Sequence, residues 1–119
     1  FFSRCDVLVF PSRRYPSGRT EGMPVAVLEA LSRGRVVVAA AVGGIPDVIR
    51  HGENGYLFEP GDGDSLARLL EQILQRWSRC RQVSSKARAS GLRFRASHLT
   101  RLHQEAYEGV LASTGKTEQ

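Results

Sequence analysis

The run Val36-Val37-Val38-Ala39-Ala40 constrains the fold of this chain more than any other segment. It is apolar at every position, and a strand without a polar face is typical of the buried interior of a parallel sheet. Parallel strands need crossover connections, which are usually helices. Two further short apolar runs, residues 6–10 and 56–58, alternate with helical patterns along the chain and provide neighbouring strands.

Helical patterns fill the spaces between these strands and the remainder of the chain. Pro24 suits the start of a helix over residues 25–33, and Gly34 suits its end. A short helix is expected from Pro46 to about residue 50. After the third strand, apolar residues at helical spacing predict three more helices: residues 66–77 with Asp64 or Ser65 as the cap, residues 80–89 ending at Gly91, and residues 97–111.

This order predicts an α/β fold, namely half of a Rossmann-like parallel sheet followed by C-terminal helices. Ligands of such sheets bind beyond the carboxyl ends of the strands. Two loops should emerge there, residues 11–24 and 41–46. In the second loop, Gly43-Gly44 suits either a tight turn or an amide nest for an anion. We therefore expect the chemistry of this protein in these two loops.

Composition narrows the class of protein. The 119 residues include 17 Lys+Arg and 12 Asp+Glu, which gives a formal net charge of +5, and 41% are hydrophobic. This balance argues against disordered and fibrous chains, and no apolar run approaches the ~20 residues of a membrane-spanning helix. Cys5 and Cys80 cannot form a disulfide framework, and no Cys/His pattern suits a metal. We expect a reducing, cytoplasmic setting and no bound metal.

The chain begins at Phe1 without an initiator Met, and its only Met is Met23. We interpret the start as a cut inside a longer polypeptide. The last residues, 113–119, have the composition of a flexible tail.

Glu29 stands in the middle of a helix that is apolar nearly all round. A carboxylate there needs a partner, because a bare buried charge is costly. Arg33, one turn later, is the structural candidate, since Glu followed by Arg at i,i+4 is a favourable order. The functional candidate is a pair of vicinal ligand hydroxyls that donate hydrogen bonds to the carboxylate. The residues by themselves leave both open.

Glu21 precedes the same helix, where its charge suits the helix dipole. The free N–H groups of Met23 and Val25 at this helix start could hold hydroxyls or phosphate oxygens, and Gly22 allows close approach of a ligand. Glu21 and Glu29 are eight residues apart, or roughly 12 Å along a helix. That is too far for an acid/base pair on one bond, which needs at most about 9.5 Å. Two groups that hold different parts of a long ligand fit this spacing.

Four blocks in order extend over residues 6–62: DVLVFPS, EGMPVAVLEALSRG, VVVAAAVGGIPDVI and HGENGYLFEPGD. Together they resemble retaining glycosyltransferases of the GT-B fold, family 4 type, in which Glu21 and Glu29 match a Glu-x7-Glu motif. The family usually has Pro where Val36 stands and Glu where Asp47 stands.

The resemblance implies a donor-side function. It implies that a nucleotide-diphospho-sugar binds in a cleft between two Rossmann-like domains, and that catalysis retains anomeric configuration without a metal or other cofactor. Glu21 would hold a hydroxyl of the donor sugar at the catalytic centre. Backbone groups of Gly22, Met23, Pro24 and Val25 would bind the substrate beside it, and Glu29 would bind the ribose hydroxyls.

The resemblance also implies what is missing. Residues 1–112 correspond to the C-terminal part of the donor-binding domain, so the N-terminal domain and the first half of the donor domain are absent. The basic residues that neutralise the diphosphate lie in that absent part. We therefore expect the isolated chain to be inactive, with its missing N-terminal domain as its natural partner.

The segment from residue 76 to residue 101 is strongly basic and has no acidic residue. Its members are Arg76, Arg79, Arg81, Lys86, Arg88, Arg93, Arg95 and Arg101. A solvated helical face is the plain interpretation. The alternatives are a non-catalytic module that binds a membrane surface, which would place the protein peripherally at the inner face of a membrane, or one that binds a polyanion. Nucleic acid has the least support, because stacking on bases needs aromatic residues among the arginines, and between Arg79 and Arg101 Phe94 is the only one.

Overall fold

A computed structural model describes residues 4–13 and 24–117. Three strands, β1 (Val7–Phe10), β2 (Val36–Ala40) and β3 (Tyr56–Phe58), form a parallel sheet in the order β1-β2-β3. Val7 pairs with Val36, and Val38 pairs with Tyr56. The expected α/β fold with a buried, fully apolar central strand is confirmed.

Two helices, α1 (Val25–Ser32) and α2 (Ile45–Val48), connect these strands. Two more, α3 (Gly63–Gln75) and α4 (Cys80–Thr117), follow β3, with a 3₁₀ turn at Trp77–Arg79 before α4. All five residues of β2 are buried and α1 contacts this strand, and Val27, Leu28 and Leu31 of α1 belong to the same buried cluster. This layer forms the hydrophobic core, which α4 covers from the outside.

The helix α4 corrects the prediction of two separate helices around Gly91. It is one continuous helix of 38 residues, and Gly91 lies within it. A Cβ built on Gly91 would stand 2.3 Å from the backbone N of Ser32 and 2.5 Å from the carbonyl carbon of Leu31. The glycine therefore allows two helix backbones to touch, rather than marking a helix end. The helix also includes residues 113–117, and the flexibility of the tail stays a prediction.

The direction of α4 follows from its contacts with α1. Ser84 donates a hydrogen bond from Oγ to the carbonyl oxygen of Gly34, just after α1 ends. Gly91 lies against Leu31 and Ser32, and Arg95 reaches Glu29. Increasing residue numbers on α4 thus match decreasing numbers on α1, so the two helices are antiparallel.

Asn54 fixes the turn between α2 and β3 against α4. Its side chain is buried, and its Nδ2 donates to the carbonyl oxygen of Val48 at 2.8 Å and to Ser90 Oγ at 3.0 Å. Its Oδ1 accepts from the backbone N–H of Arg50 at 2.7 Å. A buried amide with this many partners explains why the turn needs Asn at this position.

The cap of α3 also differs from the sequence prediction. Asp62, rather than Asp64 or Ser65, is the N-cap: its Oδ1 accepts from Ser65 N at 3.0 Å and its Oδ2 accepts from Ser65 Oγ at 2.7 Å. These hydrogen bonds, the side-chain bond first, lower the pKa of Asp62 below its ordinary value of 3.8. Asp64 occupies the first turn instead.

Several apolar residues within the predicted helices are exposed. Leu74 of α3 is 70% exposed, and Trp77, which lies in the 3₁₀ turn after α3 ends at Gln75, is 43% exposed. Tyr107, Val110 and Leu111 on the last turns of α4 are also exposed. Leu69 and Ile73 of α3 are buried, so the periodicity of that segment predicted part of its buried face correctly.

Replacing Gly91 with Ala should destabilise the protein, because the new Cβ cannot fit between α4 and the backbone of α1. We expect a loss of about 1–3 kcal/mol or more in the free energy of unfolding. Gly109→Ala is the matched control on the same helix. Apart from the adjacent backbone of α4 itself, no atom of the described residues lies within 4 Å of a Cβ built there, so we expect a gain of roughly 0.5–1 kcal/mol. Urea unfolding of both variants measures the free energy of unfolding. Equal changes in the two variants would contradict the close contact of α4 with α1 at Gly91.

Acid should weaken the cap of α3. Since the pKa of Asp62 is lowered in the folded chain, its contribution is present above the ordinary carboxyl pKa and is lost as pH falls through the folded value. Asn at position 62 keeps a capping oxygen without a titrating group. Thermal unfolding at about pH 6 and about pH 3 should therefore show a smaller acid loss in Asp62→Asn than in the parent chain. If Asp62→Asn lost as much thermal stability in acid as the parent chain, titration of Asp62 would not be the cause of that loss.

Candidate functional site

Glu29 is the charged residue of α1, on a helix whose other central residues are buried. Its neighbours Leu28 and Ala30 are 2% and 0% exposed, whereas the Glu29 side chain retains 20% exposure. It is the fifth residue of α1, so it lies about 6 Å along the axis from the helix start. That start follows the loop that leaves the carboxyl end of β1.

Two guanidinium groups hold the Glu29 carboxylate. Arg33 Nε donates to Oε1 at 3.0 Å, which confirms the i,i+4 salt bridge that the spacing predicts. Arg95 Nη1 lies 3.0 Å from Oε2. The two arginine side chains are 53% and 46% exposed, so both charges remain in contact with water. The carboxylate is thus paired on both oxygens and still open on one side.

Arg95 is the site residue that sequence reasoning missed. It is 66 positions from Glu29 in the sequence, and it stood among eight basic residues with no distinguishing neighbour. Its place follows from Gly91, which brings α4 against α1 one helical turn earlier. A glycine inside an otherwise helical pattern, four residues before an arginine, was the available signal.

The start of α1 carries the other predicted substrate-binding positions. Pro24 is the N-cap residue with extended backbone angles, and Val25 begins the helix with 65% of its surface exposed. The remaining positions, Glu21, Gly22 and Met23, lie outside the described residues. Their roles therefore stay predictions.

A cavity of about 380 Å³ lies on the same side of the sheet as Gly44, which follows β2. It is lined by Leu28 of α1 and by Phe94 and Ser97 of α4, among others. The guanidinium of Arg93 lies 4.8 Å from the centre of the Phe94 ring. Glu29 and Arg95 do not line this cavity themselves, but they follow Leu28 and Phe94 directly on the two helices that form its walls.

A larger cavity, of about 510 Å³, lies at the opposite end of the sheet. Its lining includes Asp6, Arg35, Trp77 and Arg81, and Asp6 and Arg35 directly precede β1 and β2. Ligands of parallel sheets bind at the carboxyl ends of the strands rather than at this end. We therefore place the candidate site beside Glu29, in spite of the smaller volume.

The basic segment is partly used within the fold. Arg95 pairs with Glu29, and Arg93 stacks on Phe94, so these two are not simply a solvated face. Binding of a membrane surface or a polyanion by this segment stays a prediction. Within residues 4–13 and 24–117, no helix is both long enough and apolar enough to cross a membrane.

The histidines do not gather with other metal ligands in the part of the chain that the structure describes, where no group of three or more His, Cys, Asp or Glu is found. His51 instead accepts a hydrogen bond at Nδ1 from the backbone N–H of Leu57 at 3.0 Å. Its ring also contacts Tyr56 edge-on. His51 therefore connects the turn before β3 to that strand.

Comparisons with known proteins agree with this architecture. Residues 1–90 match the family model "Glycosyl transferases group 1". The amylovoran biosynthesis glycosyltransferase AmsK of Erwinia amylovora is 36% identical over 75 residues, which cover 63% of this chain and 18% of AmsK. The chain belongs to the group 1 glycosyltransferase family.

Solved structures show the same fold. Anabaena Alr3699/HepE, crystallised with UDP, superposes with a TM-score of 0.73 at 27% identity, covering 91% of this chain and 29% of HepE. The C-terminal domain of LpcC, a group 1 family protein from Francisella tularensis, superposes with a TM-score of 0.64 at 25% identity. The match covers 75% of this chain and 43% of the LpcC chain. The chain thus spans less than a third of HepE and about a fifth of AmsK, and its sheet matches the Rossmann-like C-terminal domain of GT-B enzymes.

Glu29→Gln should leave the fold intact. Its two partners are half-exposed arginines, and ion pairs of this exposure contribute at most about 1 kcal/mol. Urea unfolding should therefore give a free energy within about 1 kcal/mol of the parent chain. A loss of about 3 kcal/mol or more would instead mean that the carboxylate is needed for the fold.

Proposed function

We propose that this chain is the donor-side part of a retaining glycosyltransferase that moves a sugar from a nucleotide-diphospho-sugar to an acceptor hydroxyl. The observation that carries the proposal is Glu29, a partly exposed carboxylate on a buried helix whose Leu28 lines a cavity on the ligand side of the sheet. Group 1 family membership supports it. The crystallisation of HepE with UDP and with UDP-glucose supports the class of donor.

In this proposal Glu29 accepts hydrogen bonds from the two ribose hydroxyls of the donor. A carboxylate offers about four lone-pair positions, and the two guanidinium groups occupy one on each oxygen. About one position on each oxygen remains, which matches the two donors of a vicinal diol. The one-fifth exposure of the side chain gives these positions access to a ligand.

The start of α1 would bind the sugar end of the donor. Helix N-termini present free N–H groups that suit hydroxyls and phosphate oxygens. Gly22, Met23, Pro24 and Val25 would form this part of the site, with Glu21 holding a sugar hydroxyl at the catalytic centre. The departing phosphate would assist attack from the same face, which retains configuration and needs no metal.

The isolated chain should bind donor weakly and transfer no sugar. In this proposal the three-stranded sheet of the described residues contributes to one wall of a two-domain cleft. Incubation of the chain with UDP-glucose and simple sugar acceptors should release no UDP above the rate without protein. Release that depends on the chain and stops in Glu29→Gln would contradict this expectation of inactivity.

The direct test of the proposal is donor binding by the 119-residue chain. Ligand-observed NMR, which detects weak binding, would be run with UDP-, GDP- and ADP-sugars. We expect saturable binding of one of them and about tenfold weaker binding by Glu29→Gln, because hydrogen bonds to a charged acceptor contribute about 1.5–3 kcal/mol.

Glu71→Gln is the matched control for this test. Glu71 is an exposed residue that carries the same charge, and it lies on α3, a helix that contributes no residue to the lining of the cavity beside α1. The control should bind like the parent chain. Equal weakening by both substitutions would indicate a general effect of charge, and unchanged binding by Glu29→Gln would remove Glu29 from the site.

A further inference from the structure

Arg95 reaches Glu29 because of how α4 crosses α1. At Gly91 the two backbones touch, with Ser32 N 2.3 Å from the position of a Cβ. Arg95 lies one turn further along α4, about 6 Å from the crossing, and Glu29 lies three residues back along the antiparallel α1. The contact at 3.0 Å between Arg95 Nη1 and Glu29 Oε2 is therefore fixed by the packing of two helices.

Arg33 and Arg95 hold opposite oxygens of the same carboxylate. Arg33 is on the same helix as Glu29 and contacts Oε1, whereas Arg95 approaches from α4 and contacts Oε2. A glutamate with one such partner can still rotate about its terminal bond, whose torsion is broad. A second partner from another helix defines the plane of the carboxylate, and thus the directions of the remaining lone pairs.

We propose that Arg95 is a positioning residue that orients the Glu29 carboxylate toward the vicinal diol of a nucleotide ribose. The inference rests on the proposed function, since it assigns Arg95 a role through the donor-binding carboxylate. It adds a residue of α4 to a site that the sequence placed entirely on and before α1.

Arg33 already gives the Glu29 carboxylate a partner, so stability does not by itself require the second contact with Arg95. The Arg95 side chain is 46% exposed, and ion pairs of that exposure add little to the stability of a fold. The planar guanidinium is, however, well suited to fixing the orientation of a carboxylate, which a lysine ammonium does less well because it is a point charge. The arrangement thus favours ligand geometry over stability.

The test compares UDP with 2′-deoxy-UDP, which lacks one of the two diol hydroxyls, by saturation-transfer NMR on the full chain, with the corresponding GDP and ADP pairs beside them. We expect the parent chain to prefer the ribose form by about tenfold. Arg95→Gln should reduce this preference toward unity, as Glu29→Gln does, and Arg95→Lys should retain part of it. If Arg95 were merely structural, Arg95→Gln would weaken the binding of UDP and of 2′-deoxy-UDP equally, and the ratio of their dissociation constants would not change.

Arg81→Gln is the control, because it removes the same charge from α4 about 21 Å along the helix from Arg95. It should keep the full preference for ribose. A parent chain that binds no nucleotide, or shows no preference, overturns the proposed function and this inference with it. If the preference for ribose is lost in Glu29→Gln but kept in Arg95→Gln, the role of Arg95 is overturned and the proposed function stands. Thermal unfolding is measured on every variant, and a large loss of stability in Arg95→Gln would also overturn it, since Arg95 would then be structural.

Discussion

The contact between the backbones of α1 and α4 at Gly91 is the constraint on which the rest of the structure depends. Glycine at this position lets α4 approach until a Cβ would meet Ser32 N at 2.3 Å, so the long helix covers the outer face of α1. The cover places Ala87 of α4 in the same buried cluster as Leu31 and the residues of β2. It also places Ser84, Ser90 and Arg95 opposite Gly34, Asn54 and Glu29 respectively. One glycine thus sets the core, the support of a turn and the environment of the candidate site.

The same crossing of α1 and α4 provides one of the two partners of Glu29, the acidic residue on the buried helix α1. A carboxylate among apolar neighbours is costly without partners, and here two arginines supply them from two helices. Both arginines stay half exposed, so the carboxylate is neither bare nor fully enclosed. This balance leaves acceptor positions for a ligand, and it explains why part of the basic segment faces the protein rather than solvent.

The sequence predicted the sheet well because its signals are local. A fully apolar run such as Val36–Ala40 between helical patterns allows few folds, and Glu29 with Arg33 follows from helical spacing. The misses needed tertiary information. Gly91 has the local pattern of a helix end, although packing against α1 makes it part of a helix interior. Arg95 meets Glu29 across 66 positions, and no periodicity within either helix indicates that meeting.

The central claim is that the donor binds beside Glu29 at the start of α1. Backbone amide chemical-shift mapping of the chain with UDP-glucose tests it most directly, because it locates the ligand without assuming the residues involved. We predict that the largest changes fall at the start of α1, around Glu29 and at Phe94 and Arg95 on α4. Changes concentrated instead at Asp6, Trp77 and Arg81, around the cavity at the opposite end of the sheet, would contradict the account.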